Sequence, residues 1–208
     1  MPVVTGISSY RGIVSLQADG LVIARIREKD FRKFPLAEGD AFDDEAYMDR
    51  IAAAQMKDAC AGALHALEVS EKTKAELTKL LLRKGFVPAA VEAAVERAAE
   101  YRFVDDKRMA ARMAEKSTSS GIGIYQLKQK MRAKGISDED AEEALSVIGE
   151  EDQIASCRKV FEKIRHKYED MPQREAKGKA SQALARRGFS WGTISSVLEN
   201  AFDEDWDD

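Results

Sequence analysis

Cysteine and histidine are nearly missing from this chain, with two of each among 208 residues. Cys60 and Cys157 lie far apart with no CxxC spacing, and His65 and His166 are equally isolated. A four-ligand zinc site would need all four to converge, so no metal site is expected. Both thiols read as small buried or half-buried groups in a reducing compartment. His65, in the apolar run ALHAL, reads as a packing residue; His166, in a basic run, reads as exposed. Four prolines and a 7% aromatic content favour helix over an all-β fold. No segment approaches the ~20 apolar residues that cross a bilayer, and the opening MPVVTGISSYRG has no apolar h-region. The expectation is a soluble cytoplasmic protein without a membrane partner. P-loop, GxSxG and HExxH patterns are absent, and Gly121-Ile122-Gly123 is too short to cradle phosphates and reads as a loop. The chain is therefore expected to be no enzyme, with no catalytic residues and no cofactor.

What is present is apolar and charged residue in helical order. Apolar residues make up 44% and charged residues 34%, usual for a helical array with much solvated surface. A net charge of -4 excludes a generic nucleic-acid glue. The first segment differs: Ile13 to Ile26 alternates in part, and Asp19-Gly20 between two β-rich runs predicts a hairpin. After a connector, Asp43 and Asp44 signal the start of a long helix to about Leu67, with Tyr47, Ile51, Ala54, Leu64 and Leu67 among its apolar positions.

Beyond it one helix stop is written three times, as LLLRKGF (Leu80 to Phe86), MRAKGI (Met131 to Ile136) and LARRGF (Leu184 to Phe189). Gly85, Gly135 and Gly188 are 50 and 53 residues apart. Four residues before each glycine stand Leu81, Met131 and Leu184, and one after stand Phe86, Ile136 and Phe189. Six and ten after stand Val91 and Val95, Ala141 and Leu145, Ile194 and Leu198, one helical turn apart and so on one stripe. Thr73 with Glu76 makes a capping box, Ser137 and Ser190 can cap the helices after the second and third breaks, and Pro88 suits a first helical turn. The start of the third repeat's middle helix, near Ala176 and Lys179, carries no such signal. A left-handed residue after a helix costs little for glycine and ~1–2 kcal/mol for most others. These features specify small helical bundles. The expected organisation is a β-hairpin segment and connector at 1–40, three-helix repeats at 41–102, 103–149 and 150–202, and an acidic tail at 203–208. The fold is expected to be mainly α, the tandem repeats forming an elongated curved array.

The basic residues point to a partner. Tyr125 to Gly135 carries Lys128, Lys130, Arg132 and Lys134 without an acid. From Arg158 to Arg187 ten Lys or Arg face four acids, in a chain whose net charge is -4. Solvated helices normally mix charges in i, i+4 pairs. The candidate binding surface comprises Arg83, Lys84, Lys128, Lys130, Arg132, Lys134, Arg158, Arg165, Lys177, Lys179, Arg186 and Arg187.

In order and spacing these motifs resemble the RecX family of bacterial regulatory proteins. TKAELTKLLLRKGF (Thr73 to Phe86) is similar to the family's first repeat, and YRFVDDKRMAARM (Tyr101 to Met113) to the segment after it. GIGIYQLKQKMRAKGI (Gly121 to Ile136) and LARRGFSWGTI (Leu184 to Ile194) resemble the second and third. Thr73 replaces the usual serine, Met113 and Met131 stand where other apolar residues are common, and the DEDWDD tail matches no family role. The resemblance implies a modulator of the RecA recombinase that lodges in the groove of the RecA filament on single-stranded DNA. It implies opposition to filament growth, with lower ATP hydrolysis, strand exchange and SOS co-protease activity. RecA is then the expected partner, single- or double-stranded DNA a second partner for the basic stripe, and the chain a monomer. The alternatives are a helix-turn-helix type of DNA-binding module and a repeat scaffold for another protein.

Overall fold

A computed structural model describes residues 1–203, apart from the side chains of Thr118 and Asp203. The acidic tail beyond Asp203 lies outside the described residues. The chain divides into two compact units, Met1–Asp105 and the part from Asp106 onward.

The first unit opens with a sheet of three strands rather than a lone hairpin: β1 (Val4–Tyr10), β2 (Ile13–Ala18) and β3 (Leu21–Arg27), antiparallel in that order. Asp19-Gly20 makes the expected turn between β2 and β3, with φ of 52° and 79°. Arg11-Gly12 repeats this geometry between β1 and β2, with φ of 50° and 75°. Positive φ at both central residues is the twist a two-residue hairpin needs. No alternation marks β1 in the sequence, because only its first residue is buried. Val14, Leu16 and Ala18 alternate inward from β2 and join Ile26 in the core.

A short helix α1 (Glu28–Phe31) leads to α2 (Asp44–Val69), whose N-cap Asp43 accepts from the Ala46 amide at 3.1 Å. Helices α3 (Lys74–Arg83) and α4 (Pro88–Glu100) complete the first bundle. Thr73 and Glu76 form the capping box, and Pro88 opens α4. The buried face of α2 runs through Ala52, Ala59, Ala63 and Ala66, opposite Ala90, Ala94 and Ala98 of α4. Small residues on both sides let two helix axes approach closely. Leu64 and His65 fall off this alanine stripe. Leu64 lines an apolar cavity, and His65 is exposed beside Glu68 instead of packing inside.

The first glycine break is anchored from three sides. Gly85 has φ of 80°, and a Cβ there would come 2.5 Å from the Ile13 side chain. Its carbonyl accepts from the Arg27 amide at 3.2 Å and from Gln55 Nε2 at 3.1 Å. Gln55, fully buried, also donates to Asp30 Oδ2 at 3.0 Å and accepts from the Val87 amide at 2.7 Å. Asp30 is fully buried and takes Arg27 Nε at 2.6 Å and Lys33 Nζ at 3.2 Å. Sheet, α1, α2 and the α3–α4 corner thus share one buried polar network in which each charge has a partner.

The second unit holds α5 (Asp106–Ser120), α6 (Ile124–Ala133) and α7 (Asp138–Ser146), then α8 (Glu150–Arg165), α9 (Gln173–Arg186) and α10 (Trp191–Asp203). Ser137 and Ser190 accept from the amides of Asp140 and Thr193, each at 3.1 Å. The helix α9 has 14 residues where α3 and α6 have 10. The extra turn begins after Pro172, which is why the third repeat shows no cap at the offset of the other two. Each triplet buries its own cluster. Leu127, Met131, Ile136 and Ala141 centre one, and Leu184, Phe189, Ile194 and Leu198 the other. The Gly121-Ile122-Gly123 loop joins the triplets: the Gly123 amide donates to Arg187 O at 2.8 Å, and the Tyr125 amide to Gly188 O at 3.1 Å. A Cβ on Gly123 would overlap the Gly188 carbonyl, and one on Gly188 would overlap the Gln126 amide.

Candidate functional site

The twelve basic residues occupy three settings. At the first break Arg83 and Lys84 are exposed. Arg83 lines a groove of about 480 Å³ with Arg25 of β3 and Lys79 of α3. None of those three cations forms an ion pair among the described residues. Lys79 sits one turn before Arg83, a spacing visible in the sequence. Arg25 arrives from the sheet, and nothing local in the sequence announces it.

At the second break the basic stretch finds its acids on the following helix. Lys128 Nζ lies 2.7 Å from Glu142 Oε1, and Arg132 binds Asp138 through two nitrogens at 2.7 and 3.1 Å. The Arg132 hydrogen bond holds the Asp138 carboxyl below its ordinary range and pushes the guanidinium up in return. Acids crowd the first turn of α7 because Asp138, Glu139 and Asp140 complement its dipole. The tight Gly135 corner then folds them beside α6. Lys130 is exposed without an ion pair among the described residues, and Lys134 is half-buried.

In the third repeat Lys179 pairs with Glu175 at 2.7 Å, one turn away. Arg165 is half-buried. Arg158, Lys177 and Arg186 form no ion pair among the described residues, and Arg158 and Arg186 are exposed. Arg187 is exposed and points Nη1 at Gly121 O, 3.5 Å away. Among the described residues Arg83, Lys84 and Arg186 beside the first and third breaks therefore have no ion pair, whereas Lys128 and Arg132 beside the second are engaged. Two large aromatics, Tyr125 and Trp191, are 58% and 69% exposed on the segments that meet Gly188, adding stackable surface beside charge. Among the described residues no group of three or more His, Cys, Asp or Glu is placed to hold a metal, and no helix is long and apolar enough to cross a membrane.

Three family models match in register with the three helical triplets. They are the first, second and third three-helix domains of RecX, over residues 61–97, 105–145 and 150–198. The chain belongs to the RecX family. Regulatory protein RecX of Bacillus subtilis is 29% identical over 80% of this chain, and that of Limosilactobacillus reuteri 26% identical over 93%. The matches span 64% and 72% of those relatives' lengths. A crystal structure of regulatory protein RecX aligns with a TM-score of 0.67 at 22% identity, covering 96% of this chain and all of that one. The crystal structure of RecX from Lactobacillus salivarius gives 0.67 at 21% identity, covering 71% of this chain and 97% of that one. At such identities the two structures speak to the fold, which is mainly helical with an N-terminal antiparallel sheet.

Proposed function

We propose that this chain is a modulator of the RecA recombinase that binds RecA filaments on single-stranded DNA and opposes their growth. Filament ATPase, strand exchange and SOS co-protease activity fall as a consequence. The observation that carries this reading is the ordered set of three RecX domains with cations repeated at their glycine breaks. Those cations suit a partner with acidic protein surface or phosphates, and a filament on DNA offers both. The boundaries at 41–102, 103–149 and 150–202 are proposed as the repeat limits, each triplet supplying one basic corner. The chain acts by binding, as a monomer in the cytoplasm, and needs no cofactor.

Co-sedimentation tests it. RecA assembled on single-stranded DNA is pelleted with this protein, beside DNA alone and RecA alone. Enrichment with the filament over both controls is expected. Equal recovery with DNA alone would instead support the DNA-binding reading.

A further inference from the structure

In the second unit a cavity of about 80 Å³ opens between the end of α5, the middle of α8 and the Arg187 side chain. Lys159, Lys163 and Arg187 line it with Ser119, Ser120 and Ser156. No carboxylate is among its lining residues, and none of the three cations forms an ion pair among the described residues. Ser156 is 2% exposed, and its hydroxyl has no hydrogen-bond partner among the described residues. Buried hydroxyls are normally satisfied, and one left open at a cavity wall is a donor waiting for an acceptor.

The arrangement on α8 points the same way. Ser156, Lys159 and Lys163 share one face of the helix. Two lysines one turn apart repel weakly, and an anion between them would turn that repulsion into attraction. The two serine hydroxyls at the end of α5 already spend their protons on the main chain. Ser119 Oγ donates to Lys116 O and Ser120 Oγ to Ser117 O, both at 3.0 Å. The Gly121 carbonyl faces Arg187. Gly121, with φ of 66°, lets the loop lie against α8, because a Cβ there would come 2.7 Å from Val160 Cγ2. The cavity has room for about five water-sized atoms, the scale of one phosphate group.

We propose that this cavity binds a single phosphate group, held by the ammonium groups of Lys159 and Lys163, the guanidinium of Arg187 and the hydroxyl of Ser156. The phosphate is either an internal one of a nucleic-acid strand or a free one. The site needs no RecA, so it stands or falls apart from the filament reading.

The test uses the full chain, labelled with ¹⁵N, at constant ionic strength. It is titrated with inorganic phosphate and, separately, with an oligothymidylate bearing hydroxyl ends. Amide shifts concentrated at Ser119–Gly121 and Ser156–Lys163 are expected. A response to the oligonucleotide assigns the site to strand phosphates, and a response to inorganic phosphate alone assigns it to a free one. The double variant Lys159→Gln/Lys163→Gln should weaken binding at least roughly tenfold. It should also lower the log–log salt slope for the oligonucleotide by about 0.7, the share of one strand phosphate. Ser156→Ala should weaken binding several-fold while melting no lower, which separates the site from a folding defect. No shift at this cluster with either probe overturns the proposal, as does unchanged phosphate binding in a folded double variant.

Discussion

The guanidinium of Arg27 lies over the ring of Phe86, 4.2 Å from its centre. Arg27 ends β3, and Phe86 follows the first glycine break. One cation therefore covers the aromatic of the recurrent motif while its Nε binds the buried Asp30. Gln55 closes the same network on Gly85 and Val87. Gln55→Leu would leave the Val87 amide without its acceptor and the Asp30 carboxylate short of a donor, both away from water. A loss of about 2–4 kcal/mol is expected in urea unfolding, since each orphaned buried group costs about 1–3 kcal/mol.

Glycine at the breaks is required for two separate reasons, conformation and space. Gly188 has φ of 83°, and a Cβ would overlap the Gln126 backbone. Gly188→Ala should cost well above the ~1–2 kcal/mol of left-handed strain alone. Gly178 lies inside α9 with open space where a Cβ would go. Gly178→Ala should stabilise the protein by about 0.5–1 kcal/mol. Thermal melts of the two variants should move in opposite directions.

Cys157 is fully buried, and burial pushes its thiol up to about 12. The thiolate is the reactive form, so Cys157 should resist alkylation at neutral pH. Iodoacetamide followed by peptide mass mapping should modify Cys157 only after denaturation. Modification in the native state would contradict its placement in the core.

The basic surface divides by its partners. Lys128 and Arg132 bind Glu142 and Asp138 on the solvent face of α7, and such exposed pairs contribute little because water screens them. Arg83 and Arg186 have no such pair among the described residues. Reversing Arg83 and Arg186 to Glu should weaken filament inhibition several-fold with the melting temperature unchanged. Reversing Lys128 and Arg132 should also weaken it. Inhibition unchanged in both double variants would place the binding surface elsewhere on the chain.

Much of this fold was legible because its signals are local. The Asp43 cap, the Thr73–Glu76 box, Pro88 and the glycine stops each act within one turn. The apolar stripe after each glycine needs only helical periodicity. What escaped was tertiary. The strand β1 has little burial to mark it, and the outward turn of His65 follows from an alanine stripe chosen by α4. The acids that meet Lys128 and Arg132 lie on the next helix, so a stretch that reads as uncompensated charge is partly neutralised once α6 folds onto α7. Arg25 reaches the groove beside Arg83 only through the sheet. The motifs marked the family, whereas the open cations could be separated from the engaged ones only with coordinates.

The central claim is that this chain restrains RecA filaments. It is tested most directly by the single-stranded-DNA-dependent ATPase rate of RecA as this protein is added. Slowing at substoichiometric amounts is predicted. An unchanged rate at equimolar protein would contradict the account.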